Sequence, residues 1–163
     1  MGYRDQLAHV LTDTPATRAA AESGLAHEVV EYGRAGSVEE AAEKRGVAVH
    51  RVIKTIVVRR GEGDHLMVLV PGDRVIDWAK LRKVAGVSRM SLAEADDAYE
   101  VTGYRPGTIT PFGSKTALPV IADASIEGLA SIGGGDHGVA INLDAPDLIR
   151  HFKATVADVT RTA

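Results

Sequence analysis

Among the 163 residues of this chain, Lys54 is the side chain whose chemistry sits least easily with its neighbours. In Arg51-Val52-Ile53-Lys54-Thr55-Ile56-Val57-Val58, a period of two puts Val52, Lys54, Ile56 and Val58 on one strand face. An ammonium then shares a surface with β-branched apolar groups, and burying it without a partner is costly. One account is an edge-strand lysine that deters aggregation, or one whose stem packs while its head reaches water. The other is a cation at a pocket wall, holding a phosphate or a polarised carbonyl as a point charge.

Two glycine-rich stretches are the natural companions of such a cation. Gly103-Tyr104-Arg105-Pro106-Gly107-Thr108-Ile109-Thr110-Pro111-Phe112-Gly113 contains the pattern G-x-x-x-P at Gly107 to Pro111. Its glycines enter backbone regions closed to other residues, and its prolines fix φ and withhold amide donors. The result is a shaped, stiff loop, read as either a plain connection or a site wall. Gly133-Gly134-Gly135-Asp136-His137-Gly138 formally matches G-x-G-x-x-G, but dinucleotide binding requires a helix to follow. Val139, Ile141 and Leu143 alternate at strand period instead, so a glycine turn between strands is expected.

Other chemistries are excluded by what is missing. The chain has no cysteine, which removes disulfides, thiolate nucleophiles and cysteine metal sites. No G-x-S-x-G elbow and no G-x-x-x-x-G-K-[ST] loop occurs. The six histidines show no metal spacing, and only His137 lies in a suggestive context. No cofactor or metal is therefore expected. A net charge of −3 and seven aromatic residues (Trp78, four Tyr, two Phe) argue against non-specific coating of nucleic acid and against a base-stacking platform. Any nucleic acid is gripped locally. Lys80, Arg82 and Lys83, with Arg74 and Arg89 nearby, form either a solvated face or a phosphate-contacting patch.

The elements that position these residues follow from periodicity and punctuation. Leu7, Val10 and Leu11 have helical spacing. A helix is expected from Thr14, with Pro15 in its first turn and Gly24 as its stop. Ala26 to Tyr32 reads as a strand, and Ser37 to Glu40 as a capping box opening a helix to Arg45. Strands 51–58 and 65–70 form a hairpin about Gly61-Glu62-Gly63-Asp64. Asp77 caps a helix ending at Gly86, and Ser91 to Glu94 reads as a second capping box with a helix to about Tyr99. Strands are expected at 118–122, 129–132 and 154–159, and a helix from Asp144 to about Phe152. This mix, with no repeat or linker, indicates a single-domain α+β fold spanning 1–163. No apolar run reaches the ~20 residues that span a bilayer, and the N-terminus lacks a signal-peptide pattern, so the expectation is a cytoplasmic protein with no membrane partner.

Taken together, the strand carrying Lys54, the loop Gly103 to Gly113 and the run Ile132 to Ile141 resemble the YbaK family. This is the family of the editing domain inserted in bacterial prolyl-tRNA synthetases and of its free-standing relatives; the order and spacing match from Leu25 to about Val159, and the fold the resemblance implies is a mixed, partly barrel-like sheet with surrounding helices. The resemblance implies a trans-acting deacylase that hydrolyses the ester of a mischarged tRNA, usually proline tRNA carrying alanine, cysteine or another small amino acid. Its partners would be the aminoacylated 3′ end of tRNA and prolyl-tRNA synthetase. The lysine matching Lys54 is needed for activity in the family, and the loop matching Gly107, Thr108, Ile109, Thr110 and Pro111 positions the aminoacyl ester. Gly103, the turn Gly133, Gly134, Gly135, Asp136 and His137, and Tyr32 complete the expected substrate site, with Lys80, Arg82 and Lys83 as tRNA contacts. With no nucleophile cluster, attack by water or by a hydroxyl or thiol of the substrate is the expected route. Some relatives carry serine in place of Gly133, a basic residue in place of Asp136 or His137, and an acidic residue in place of Ala140. These departures leave the amino acid open, with a lean toward alanine or another small residue. A non-catalytic module binding tRNA ends or a synthetase is the alternative of a different class, and a binder of free nucleotides a third.

Overall fold

The sheet is organised around one strand, β2 (Val52–Gly61), which a computed structural model describing residues 13–163 places near the middle of a mixed eight-stranded sheet. The helical spacing at Leu7, Val10 and Leu11 lies outside the described residues. β2 turns back antiparallel into β3 (Asp64–Pro71), with Lys54 opposite Val70 and a register shift between Arg59 and Gly61. The hairpin is therefore where the β-branched run and the glycine turn require it. The sheet order is β1 (His27–Glu31), β8 (Val139–Asp144), β7 (Leu129–Gly133), β2, β3, β6 (Val120–Asp123), β9 (Thr155–Ala157). β7 and β6 run parallel to β2 and β3 respectively. A short ribbon pairs β4 (Arg74–Ile76) with β10 (Thr160–Thr162), and β5 (Ser91–Leu92) pairs with β2. β2 is therefore not an edge strand of the sheet, although its second side is paired only at Val52, Ile53, Val58 and Arg59.

Period two divides the apolar residues of β2 and β3 between two cores. Ile53, Val57, Met67 and Leu69 pack on one face with Ala16 and Ala20 of α1 (Pro15–Ser23), Ala98 of α4 (Ala95–Thr102) and Leu148 of α5 (Ala145–His151). Val58, Leu66, Val68 and Val70 pack on the other with Ile76, Val159 and Leu81 of α3 (Trp78–Ala85). Lys54 lies on the second face, beside the partly buried Ile56. That is the placement its period predicts.

Helix termini follow the local chemistry closely. Thr14 and Thr17 cap each other at the start of α1, and Gly24 closes it at φ 74°. Asp77 accepts the Lys80 amide to open α3. Two capping boxes differ from expectation. Ser37 accepts the Glu40 amide to open α2 (Val38–Arg45), but Glu40 reaches back to Gly36 N rather than to Ser37. At Ser91 to Glu94 no box forms. Ser91 and Leu92 pair instead with Arg59 and Val58, and the helix starts at Ala95 and runs to Thr102. Sheet pairing has overridden a local preference worth only about 1 kcal/mol. The expected strand 154–159 is shorter, β9 covering only Thr155–Ala157, and after a break where the Val159 amide donates to Asp123 Oδ1 an unexpected strand, β10, follows. β4 was not expected; three residues are too few to show a period.

Candidate active site

A gap in the β2 ladder creates the site. β7 pairs with β2 only at Val52 and Ile53, and β5 only at Val58 and Arg59. Alternate strand residues turn their backbone groups to opposite sides. Val52 O accepts the Gly72 amide on the β3 side, and Val57 O accepts the Ala93 amide on the opposite side. Thr55 lies on that opposite side too, between the two pairings, where no strand residue is opposite it. A cleft of about 870 Å³ opens there, lined by all of Val52 to Val57 together with Leu92, Ala93, Ile109 and Gly133. Thr55 Oγ1 is buried without a hydrogen-bond partner.

Lys54 reaches this cleft as a partly buried cation. Its Nζ donates to the Arg74 carbonyl at 2.7 Å, which fixes the head against β4. Burial pulls its pKa below the ordinary lysine value, and the Asp73 carboxylate opposes that shift. A cation held by one neutral carbonyl keeps its remaining donors available.

The two glycine-rich stretches meet across the cleft. Gly107 sits at φ 89°, and a methyl group added there would lie 3.9 Å from His137 Cε1. A Cβ on Gly133 would approach the Ile109 carbonyl oxygen to 3.1 Å and that of Thr108 to 3.4 Å. A side chain at Gly133 would force the strand and the loop backbone apart by a few tenths of an ångström. The loop is held from behind: the Tyr104 hydroxyl donates to the Phe112 carbonyl at 2.7 Å, and Phe112 packs edge-on against Phe152. Burial pushes the Tyr104 pKa up to about 12, so it stays a neutral donor.

Tyr32, Lys54, Gly107, Ile109, Gly133 and His137 are brought together as cleft lining. The other expected residues stand behind it. Thr108 and Thr110 are buried and spend their hydroxyls on the loop itself, on Arg105 O and the Phe112 amide, and Pro111 is buried beside them. Gly103 closes α4 at φ 81°. The Gly134 carbonyl accepts from Thr14, Gly135 packs on Tyr104 and Ala16, and Asp136 caps the His137 amide. Of the basic trio, Lys80 is engaged with Asp158 and the Thr160 carbonyl, and Arg82 faces a second groove. None of the trio lines the cleft.

Sequence reading missed Arg45. Its guanidinium donates to the Ser131 carbonyl and to the Tyr32 hydroxyl, and stands 4.8 Å from the Tyr32 ring centroid. It lines the cleft with Ser37, Val38 and Ala41 of the same helix region. The signal was faint, since a cation in the last turn is an ordinary helix terminus. Among the described residues no group of His, Asp or Glu side chains is arranged to hold a metal.

Comparison with known proteins gives one consistent result. Residues 34–151 match the family model of the aminoacyl-tRNA editing domain. The proline–tRNA ligase of Xanthomonas axonopodis pv. citri is 32% identical over 152 residues, 89% of this chain and 26% of that protein. The proline–tRNA ligase of Trichlorobacter lovleyi is 34% identical over 94 residues, 58% of this chain and 16% of that protein. This chain thus spans about a quarter or less of the length of these relatives. A solved structure provisionally described as a trans-editing enzyme for prolyl tRNA synthetase superposes with a TM-score of 0.80 at 24% identity, covering 91% of this chain and 99% of that one. That likeness establishes the shared fold.

Proposed function

The chain belongs to the aminoacyl-tRNA editing domain family, called YbaK above, and from that premise we propose that its cleft hydrolyses the ester linking a wrongly attached small amino acid to the 3′ end of a tRNA. Proline tRNA is the substrate this reading favours, because the relatives that share the domain are proline–tRNA ligases. Prolyl-tRNA synthetase is then the partner that delivers it. Editing of this kind corrects what binding alone cannot, since small side chains differ by too little contact energy.

The observation that carries the proposal is that Lys54, on the stretch of β2 that β7 and β5 leave unpaired on one side, lines the same cleft as Gly107, Ile109 and Gly133. In the reaction a water oxygen adds to the ester carbonyl carbon and the carbonyl oxygen gains negative charge. The carbon–oxygen bond to the ribose then breaks, and the ribose oxygen takes a proton as the free amino acid leaves. Lys54 supplies a positive point charge for the phosphate next to the ester or for the developing oxyanion. The Thr55 amide, freed by the ladder gap, is a second donor within the same wall. Gly107, Ile109 and Gly133 fix the ester's position, and Tyr32 and His137 border the amino-acid end.

Release of amino acid from proline tRNA charged with alanine, cysteine, serine or proline, by wild type and by Lys54→Ala, tests this. Hydrolysis of a mischarged species that the variant loses is the expected result. Binding of tRNA without cleavage of any ester would replace this reading with that of a non-catalytic module.

A further inference from the structure

β2 continues past the cleft into a second depression. A groove of about 550 Å³ is lined by Arg59, Arg60, Arg82 and Arg89, with Ser88, Ser91, Gly61 and Met90. Four guanidinium groups line it and no carboxylate does. In a chain of net charge −3 this is a local inversion of sign. Arg60 is held by Asp64 at 2.9 Å, and Arg59 by the Gly61 carbonyl at 3.4 Å with the Asp97 carboxylate at 3.9 Å, so both forks are set in advance and partly neutralised, and the uncompensated charge of the groove is that of Arg82 and Arg89. The Arg82 and Arg89 side chains make neither an ion pair nor a hydrogen bond among the described residues and are free to close on an anion.

The groove and the cleft are joined by β5. Ser91 lines the groove and the next two residues, Leu92 and Ala93, line the cleft. Lys54 and Arg59 are five residues apart on β2, about 17 Å at the usual rise of ~3.3 Å per residue. That spacing corresponds to about five stacked nucleotides at ~3.4 Å each.

We propose that this arginine groove binds the phosphodiester backbone of the tRNA acceptor end, a few nucleotides before the ester held in the cleft. The proposal rests on the editing reading for the identity of the RNA. Guanidinium forks match phosphate oxygens two at a time, and two hydroxyls beside them supply neutral donors. The groove reads backbone, so it adds affinity without choosing the amino acid.

The test uses uncharged proline tRNA, with binding followed by fluorescence anisotropy across a salt series. Arg82→Ala/Arg89→Ala is compared with wild type and with Arg18→Ala/Arg150→Ala, which removes equal charge from two surface ion pairs. The groove variant is expected to bind roughly tenfold more weakly, with a log-affinity versus log-salt slope shallower by about 1.5 to 2. The control keeps the wild-type slope. A mischarged acceptor trinucleotide too short to reach the groove is expected to be hydrolysed equally by all three proteins. Unchanged affinity and slope in the groove variant, or an equal loss in the control, overturns the proposal. Arg82→Gln/Arg89→Gln repeats the measurement if the alanine pair melts early. Because anisotropy needs no turnover, a failed groove and a failed deacylase are told apart: the first leaves hydrolysis intact, the second leaves the salt dependence intact.

Discussion

The two ends of β2 carry positive charge in opposite ways. At the cleft end, one half-buried lysine is tied to a carbonyl and shares its cleft with closely packed backbone at Gly107 and Gly133. At the groove end, four arginines stand at an accessible rim where Gly61 has open space around it. The first arrangement suits a single position for a reacting bond; the second suits loose capture of a repeating anion. Precision comes from contacts that tolerate no added atom, and affinity from charges that tolerate movement.

Breaking the cleft end is expected to have the largest effect. Lys54→Ala lowers single-turnover deacylation by about 10²–10³-fold, the usual cost of losing one preorganised stabiliser of developing charge. The stability effect is small by comparison: Lys54→Met removes a charged form that burial disfavours in the folded state but also strips the Arg74 carbonyl of its donor, so the two effects oppose and the melting temperature at neutral pH changes little. Because burial lowers the lysine's pKa, wild-type activity corrected for spontaneous ester hydrolysis declines as pH rises through a value below the ordinary lysine range. A decline only at the ordinary lysine value would show that the cation is solvated.

Smaller effects sharpen the contrast. Gly113→Ala places a methyl 2.5 Å from the Pro15 carbonyl at φ 67° and costs about 3 kcal/mol or more by denaturant melting. Tyr104→Phe strips the Phe112 carbonyl of its donor and costs about 1–2 kcal/mol, with activity falling as the loop loosens. Gly61→Ala, at the groove end, meets nothing within 4 Å and changes stability by less than about 0.5 kcal/mol. A Gly61→Ala penalty as large as that of Gly113→Ala would erase the distinction between the ends.

The sequence was most legible where chemistry is local. Asp77, Gly24, Gly46 and Gly86 mark helix boundaries that the structure reproduces, because caps and left-handed stops are decided within a few residues. Lys54 stood out because a charge on an apolar strand face is visible in one dimension. Partnership was not legible. Ser91 to Glu94 has the pattern of a cap yet pairs with a strand more than thirty positions earlier. Arg45 enters the cleft only because α2 folds over Ser131, 86 residues away. Thr108, Thr110 and Gly134 were legible as a motif but not as the motif's inner side, which depends on packing against Tyr104, Phe112 and Thr14. The ladder gap at Thr55 has no signature at all, since it is defined by where β7 and β5 stop.

The carbonyl that holds Lys54 belongs to Arg74, and the side chain of Arg74 donates to the Thr160 hydroxyl at 2.6 Å on β10. The lysine is thus moored to a ribbon that lies outside the main sheet. Strain on β10 is therefore felt at the cleft through Arg74, whereas strain on α1 falls on the opposite core. The ribbon is in this sense the tuning peg of the cleft.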